Sequence, residues 1–218
     1  MQKYDYFGSI ISSMSYFQRD LNKEQLLGEY LDTVYSSLNL NFERITDLNL
    51  QLKGIDLLFP EREAIYIDEK AQLDYLNKSL PTFTFELSYL KKSEQKLGWL
   101  LDESKLTTHY FLVTGIYTKI EDDLSKGFRS CIITSINRKK LLNHLEIKGL
   151  SKERLLQYVT DLRDFDNKKS KHKIEELNSK TEGLLYFSSQ LVEQPINLQL
   201  RLKHLINVGV AKQIYPRQ

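Results

Sequence analysis

The sequence predicts a mixed α+β fold of the α/β class, in which helices flank a central mixed sheet. An amphipathic helical pattern over residues 23–38 precedes a series of strand-like runs. The runs over residues 82–87 and 108–117 are rich in alternating, aromatic or β-branched residues, which is typical of strands. Helical patterns return over residues 137–163, with a break at Gly149. A chain of 218 residues is long enough to bury such a sheet.

The N-terminal segment is predicted to be helical and then to enter the sheet. A short helix is expected around residues 10–17, and Asn22 is placed to cap the helix over residues 23–38. Residues 40–51 alternate imperfectly and are expected to hold the first strand.

Two strand-like runs follow, separated by a turn. Residues 55–59 are apolar except for Asp56, residues 60–63 form a turn signal that starts with proline, and residues 64–67 lead directly into Asp68. Strands joined by a short turn are antiparallel neighbours, so the hairpin is expected to bring Asp56 close to Asp68.

The second run carries charged residues at alternate positions. Asp68, Lys70 and Gln72 are expected on one face, because side chains alternate along a strand. Two neighbouring carboxylates repel each other, and a hard cation such as Mg²⁺ relieves that repulsion. A lysine beside them can hold a water or stabilise developing charge. The alternative is that Asp56 and Asp68 only pair with Lys70 or Arg62 at the end of a hairpin.

The spacing of these residues resembles the motif of the PD-(D/E)XK nuclease superfamily, which has the restriction-endonuclease-like fold. Residues 54–56 (Gly-Ile-Asp) are similar to the first half of the motif. After an eleven-residue gap, residues 68–70 (Asp-Glu-Lys) are similar to the second half. Ile55 stands where the motif has proline. The superfamily's long helix after the second half has no counterpart in the short link over residues 73–80, so an inserted strand or an altered topology is expected there.

The resemblance implies a role for each motif residue. Asp56 and Asp68 would bind Mg²⁺, for which Mn²⁺ can substitute, and the Glu69 carbonyl would be a further metal ligand. Lys70 would position the attacking water. Gln72 matches a glutamine that follows the lysine in several branches, and it would orient water or phosphate.

The resemblance also implies an acidic residue on the first helix, where Gly28-Glu29 is similar to the superfamily pattern. At about 100° per residue, however, Glu29 falls nearly opposite the apolar stripe of that helix, whereas Glu24 flanks it. A solvated surface glutamate is therefore the alternative for Glu29.

Two further polar residues lie in strand-like runs. Phe83, Phe85 and Leu87 are expected to face the core, which places Glu86 on the opposite face. Glu86 either adds to the acidic site or is an ordinary exposed strand residue. His109 starts the run over residues 108–117, and a lone histidine at a strand end is either an acid–base group or a structural residue.

The C-terminal half is predicted to add helices and strands to the same compact domain, with residues 1–125 as the nuclease-like core and residues 126–218 as an extension. The expected elements are a strand over residues 128–136, two helices within 137–163 with Ser151 as a cap, an exposed polar loop over 164–180, a strand over 183–191 and a final helix over 196–206.

The formal net charge is only +2, so any nucleic-acid site must be a local basic surface. Basic residues cluster in the predicted helix pair and in the polar loop, where they are candidates for phosphate contacts; a solvated outer face is the alternative. The candidates are Arg138, Lys139, Lys140, Lys168, Lys169, Lys171 and Lys173.

The composition narrows the class of protein. Cys131 is the single cysteine, which excludes an internal disulfide and fits a cytoplasmic location. No run of apolar residues is long enough to predict a membrane span, so no membrane partner is expected. The Walker A, Rossmann glycine, HExxH and zinc-spaced Cys/His patterns are absent from the sequence.

The resemblance therefore implies a Mg²⁺-dependent endonuclease that hydrolyses duplex DNA, similar to type II restriction enzymes or to nucleases of phages and mobile elements. RNA cleavage is an alternative substrate class. A catalytically silent module of the same fold, acting as a nucleic-acid or protein binding subunit, is the alternative function. The sequence leaves a homodimer and a monomer open.

Overall fold

The chain forms two β-sheets and five α-helices within the residues that the computed structural model describes, which are 6–60, 65–121, 123–164 and 169–216, with side chains from residue 22 onward. The expected mixed α+β class is confirmed. The helices are α1 (Tyr6–Ser37), α2 (Leu48–Leu52), α3 (Arg138–Ile147), α4 (Lys152–Asp164) and α5 (Leu202–Asn207), with a 3-10 helix at Leu73–Tyr75. The strands are β1 (Glu43–Arg44), β2 (Leu57–Leu58), β3 (Tyr66–Ala71), β4 (Thr82–Lys91), β5 (Glu94–Leu97), β6 (His109–Ile120), β7 (Asp123–Asn137), β8 (Lys171–His172), β9 (Gly183–Phe187), β10 (Ile196–Arg201) and β11 (Ala211–Tyr215).

The first sheet has the strand order β1-β2-β3-β6-β7-β11. β2 and β3 are antiparallel, with Leu57 opposite Ile67, which confirms the predicted pairing. β3 and β6 are parallel, with Asp68 opposite Tyr110. Parallel neighbours need a crossover connection. Here the connection carries β4 and β5 and no α-helix, and β4 confirms the strand predicted over residues 82–87.

The second sheet has the order β5-β4-β10-β9-β8, and every pairing in it is antiparallel. Phe83, Phe85 and Leu87 on β4 are buried, as their alternation predicts. Their faces join a hydrophobic core that includes Leu141 of α3 and Val159 of α4. Burial of this apolar surface is the main force that holds the sheet against the two helices.

The chain divides into two compact units. The first comprises the chain up to Asn41, Gln72–Ser79 and Gly115–Cys131, and the second comprises Phe42–Ala71, Leu80–Thr114 and the chain from Ile132. The expected boundary at residues 125 and 126 falls inside β7, a continuous strand.

Two contacts join the segments of the first unit. The ring of Tyr30 lies 5.8 Å from that of Phe128, and the side-chain oxygen of Asn77 accepts a hydrogen bond of 3.0 Å from the Thr118 N–H.

One N-terminal prediction is wrong: α1 is one continuous helix, so Asn22 lies inside it and does not cap a second helix. Residues 40–51 hold the first strand of the sheet, as predicted, although β1 has only two residues and α2 follows it. Asp47 starts that helix, because its Oδ1 accepts a hydrogen bond of 2.7 Å from the Asn49 N–H.

The prediction of a helix over residues 196–206 is also wrong in its first half. Residues 196–201 form β10, and only residues 202–207 are helical. Ile196, Leu198 and Leu200 are buried while their neighbours are half-buried, which is the period of a strand. The predicted cap at Ser151 is confirmed by a hydrogen bond of 3.2 Å from the Arg154 N–H to its hydroxyl. Within the described residues, no helix combines the length and the apolar character needed to cross a membrane.

Candidate active site

Asp56 is fixed in place by the backbone of the first sheet. It lies directly before β2, where its N–H donates to the carbonyl of Ile67 and its carbonyl accepts from the N–H of Ile45, both at 2.8 Å. Its carboxylate is held as well, because Oδ2 accepts a hydrogen bond of 2.8 Å from the backbone N–H of Glu69. Asp56 therefore faces β3 at the level of the second half of the motif.

Asp68 and Lys70 lie on β3 and share a face, as the alternation predicts. Asp68 is only 2% exposed, which is unusual for a carboxylate. The ammonium of Lys70 donates a hydrogen bond to Asp68 Oδ1. The side chain of Glu69 takes a different partner, because its Oε2 pairs with Arg44 at 2.6 Å.

The charges of these residues act strongly on one another. Burial and the negative charge of Asp68 raise the pKa of Asp56 to about 7, although Lys70 and the Glu69 N–H favour the ionised form. Burial disfavours the Lys70 ammonium, but Asp68 and Asp56 outweigh that effect and raise the pKa of Lys70. The two carboxylates are within hydrogen-bonding reach of each other, and the Asp68 charge disfavours ionisation of Asp56.

The carboxylates of Asp56 and Asp68, together called the acid pair, are of the type that a hard divalent cation prefers. Mg²⁺ commonly takes one or two carboxylates and fills its other positions with water and phosphate. The N–H and C=O groups of a strand residue point to the same side, so the Glu69 carbonyl faces the edge at which its N–H meets Asp56. Across the described ranges, no group of three or more His, Cys, Asp or Glu is arranged to hold a metal ion. The oxygen atoms at this edge that could contact a cation are those of the two carboxylates and the Glu69 carbonyl.

Gly54 allows the chain to close against the acid pair. Its φ of +75° is costly for residues other than glycine. A Cβ at this position would lie 2.3 Å from Thr107 Oγ1 and 3.6 Å from Asp68 Oδ2. The Thr107 hydroxyl donates a hydrogen bond of 2.8 Å to the Gly54 carbonyl. The first residue of the motif is therefore a glycine for a steric reason.

Gln72 and Glu29 belong to the first unit, whereas Asp56, Asp68 and Lys70 belong to the second. Gln72 lies just after β3, where it precedes the 3-10 helix and its side chain is half-buried. Glu29 is exposed on α1, and its Oε1 accepts a hydrogen bond of 3.1 Å from Gln25. The position of Glu29 on the outer face of the helix is the one that the helical wheel predicts.

The basic candidates fall into two groups. Arg138 is held inside the fold, because its guanidinium donates to Tyr110 Oη at 3.0 Å and to the carbonyls of Leu100 and Asp102 at 3.1 and 3.0 Å. The other described candidates are exposed: Lys139, Lys140, Lys169, Lys171 and Lys173. Lys168 lies outside the described residues.

The structure adds two residues to the surroundings of Lys70. The ring centroid of Trp99 lies 5.8 Å from Lys70 Nζ. Glu86 is half-buried and not exposed, and its charge attracts that of Lys70. Strand alternation in β4 already predicted that Glu86 lies on its polar face. No local sequence pattern predicted that residues 98–99 approach that strand.

His109 has a structural environment. Its Nδ1 lies 3.0 Å from the Thr108 hydroxyl and its Nε2 lies 3.1 Å from the side-chain nitrogen of Asn137. Asn137 also caps α3 by accepting a hydrogen bond from the Lys140 N–H. Burial lowers the pKa of His109. The neutral ring therefore connects β6 to the start of α3.

The chain was compared with known proteins in three ways. No protein-family model matches it, and neither the curated proteins nor the solved structures include a significant match.

Proposed function

We propose that this protein is a Mg²⁺-dependent endonuclease that hydrolyses phosphodiester bonds in duplex DNA. The observation that carries the proposal is that the half-buried carboxylate of Asp56 contacts the buried carboxylate of Asp68 beside the ammonium of Lys70. Two acids held this close are unfavourable unless a proton or a cation lies with them. The donor set suits Mg²⁺, and Mn²⁺ has similar requirements.

In this proposal the acids and the lysine have different tasks. Asp56 and Asp68 hold the metal, with the Glu69 carbonyl as a further ligand. The bound metal supplies Lewis-acid stabilisation of the phosphate and lowers the pKa of a water. Lys70 orients the attacking water by donating a hydrogen bond and stabilises negative charge that develops on the phosphate oxygens.

The order of elements supports a restriction-endonuclease-like core. A long helix, α1, is followed by the antiparallel strands β1, β2 and β3, and β3 is the strand that carries Asp68 and Lys70. The β4–β5 hairpin stands where the superfamily has a helix after this strand, so the proposed core would be a variant with an inserted hairpin, and that hairpin pairs with the later strand β10 in the second sheet.

The test is nicking of supercoiled plasmid by purified protein. We expect wild-type protein to nick in Mg²⁺ or Mn²⁺ and to lose the activity in EDTA. Asp56→Asn should be inactive, whereas Asp161→Asn, which changes an exposed carboxylate on α4, should retain activity. Absence of nicking by the wild type with either metal, or equal nicking by Asp56→Asn, would overturn the proposal.

One observation favours a second candidate, a catalytically silent binding module. Lys70 donates a hydrogen bond to Asp68 and favours the ionised form of Asp56, so it offsets part of the negative charge without a metal. Under this alternative the wild type would bind DNA or a protein partner and would not bind Mg²⁺ in a calorimetric titration. A folded protein that binds DNA and leaves plasmid intact in either metal would favour it.

A further inference from the structure

Glu86 is held in a fixed position beside the turn that follows β5. The carboxylate of Glu86 accepts a hydrogen bond from the Trp99 N–H, and its carbonyl accepts one of 3.2 Å from the Leu100 N–H. A Cβ at Gly98 would lie 2.3 Å from the Glu86 carbonyl oxygen and 2.7 Å from its Cγ, so only glycine fits there. This close approach places the carboxylate on the Trp99 side of β4.

Trp99 contacts both Glu86 and Lys70. Its backbone N–H holds the Glu86 carboxylate, while its ring lies 5.8 Å from Lys70 Nζ. The ring itself is held by edge-on packing against Tyr110, at 4.8 Å between centroids. This packing holds Trp99 in position. Because Trp99 contacts both groups, it also limits how far the Glu86 carboxylate and the Lys70 ammonium can move relative to each other.

Charges of both signs act on the Glu86 carboxylate. Burial and the charge of Glu193 raise the pKa of Glu86, whereas the Trp99 N–H, Lys70 and Lys105 act in the opposite direction. Lys105 is itself held, since its Nζ donates a hydrogen bond of 2.6 Å to the Leu52 carbonyl. The half-buried Glu86 carboxylate therefore attracts both ammonium groups, and Lys70 is attracted to Glu86 in return.

We propose that Glu86 is a positioning residue of the hydrolytic site, whose carboxylate holds the Lys70 ammonium in place for the reaction. The inference rests on the proposed function. A divalent cation on Asp56 and Asp68 would repel the Lys70 ammonium and weaken its attraction to those two acids. Glu86 lies outside that acid pair, so it continues to attract Lys70 when the cation is bound.

The kinetic test compares Glu86→Gln and Glu86→Asp with Glu94→Gln, which removes an exposed carboxylate from the same hairpin. For plasmid hydrolysis in Mg²⁺ we expect Glu86→Gln to lower kcat by roughly 10- to 100-fold, as for other residues that orient an active-site group. KM should be unchanged, because ground-state binding is not altered. Glu86→Asp should recover part of kcat, and Glu94→Gln should match the wild type. An active Glu86→Gln enzyme with wild-type kcat overturns the proposal.

A second measurement does not depend on hydrolysis. In protein labelled with ¹³C-lysine, the Lys70 Cε–Hε resonance, assigned by its loss in Lys70→Met, should move in Glu86→Gln and stay in place in Glu94→Gln. If the wild type cleaves nothing, the proposed function fails, and this resonance still decides whether Glu86 positions Lys70. A resonance that is the same in wild type and Glu86→Gln overturns the inference in either case.

Discussion

Asp56 and Glu69 are joined by a hydrogen bond of 2.8 Å from the Glu69 backbone N–H to the Asp56 carboxylate. The first acid of the motif is therefore anchored to the strand that carries the second acid. A charge-assisted bond of this type favours the ionised carboxylate, which a metal ligand must be. Burial and the negative charge of Asp68 act in the opposite direction. This opposition makes the ionisation of Asp56 sensitive to pH.

The anchoring bond predicts different effects of two substitutions at Asp56. Asparagine keeps an oxygen that can accept from the Glu69 N–H, whereas alanine leaves that donor unpaired. We expect Asp56→Ala to be less stable than Asp56→Asn by about 1–3 kcal/mol, the usual cost of a buried unsatisfied donor. Urea unfolding of the two variants in EDTA measures the difference. Equal midpoints and equal slopes would show that the bond contributes nothing.

The raised pKa of Asp56 predicts how stability depends on pH without metal. The folded state keeps this proton up to about pH 7, whereas the unfolded chain releases it near the ordinary value of 3.8. Between these values the folded state binds more protons, so this group's contribution is complete below about pH 4 and is lost as pH rises to about 7.

The measurement is urea unfolding of the wild type and Asp56→Asn in EDTA across this pH window. The stability of Asp56→Asn relative to the wild type should increase with pH up to about 7 and then level off. Asp161→Asn controls for loss of a carboxylate. In saturating Mg²⁺ the trend in the wild type should flatten, because a bound cation would compete with the proton on Asp56. A relative stability that is constant across the window would contradict the assignment.

Lys70 is predicted to act in the chemical step and not in metal binding. Lys70→Met keeps the aliphatic length of the side chain and removes the ammonium. We expect kcat to fall roughly 100- to 1000-fold, as when a preorganised donor to developing charge is removed. Calorimetric titration with Mn²⁺ should still show binding, because both carboxylates remain. The matched control is Lys96→Met, at an exposed lysine of β5. Loss of both binding and activity in Lys70→Met would indicate collapse of the site.

The candidate site was predictable from the sequence because its main residues are close together in the chain. Asp56, Asp68 and Lys70 lie on two strands that pair locally, and the pairing of Leu57 with Ile67 follows from that hairpin. Strand alternation then places the second acid and the lysine on one face.

The surroundings of the site were less predictable, because they depend on contacts between distant parts of the chain. Glu86 is placed by β4, whose pairing with β10 joins Phe85 to Leu198. No local pattern encodes that pairing. The boundary between β10 and α5 was missed for a related reason: Arg201, the cap residue of α5, makes no side-chain capping hydrogen bond. The sequence therefore carries no marker where the strand ends and the helix begins.

The lysines at and beside the edge strand β8 form one exposed group of basic candidates. Lys169, Lys171 and Lys173 are all exposed, and Lys171 and Lys173 are two residues apart, on one side of an extended segment. Arg138, by contrast, uses its guanidinium inside the fold. With a net charge of only +2, the proposed DNA binding would depend on such a local group.

We expect the triple Lys→Gln variant at Lys169, Lys171 and Lys173 to bind all DNA sequences more weakly. Each phosphate contact that is lost should reduce the slope of log K against log salt by about 0.9. The kcat at saturating DNA should stay at the wild-type value, since these side chains lie outside the acid pair. A triple variant at Lys91, Lys92 and Lys96, exposed residues of the β4–β5 hairpin, removes the same charge and should keep the wild-type slope. Fluorescence anisotropy across a salt series measures both slopes. If both variants lose slope equally, the effect is one of net charge; if neither does, the DNA contacts lie elsewhere, with Lys139 and Lys140 on α3 as the next pair to test.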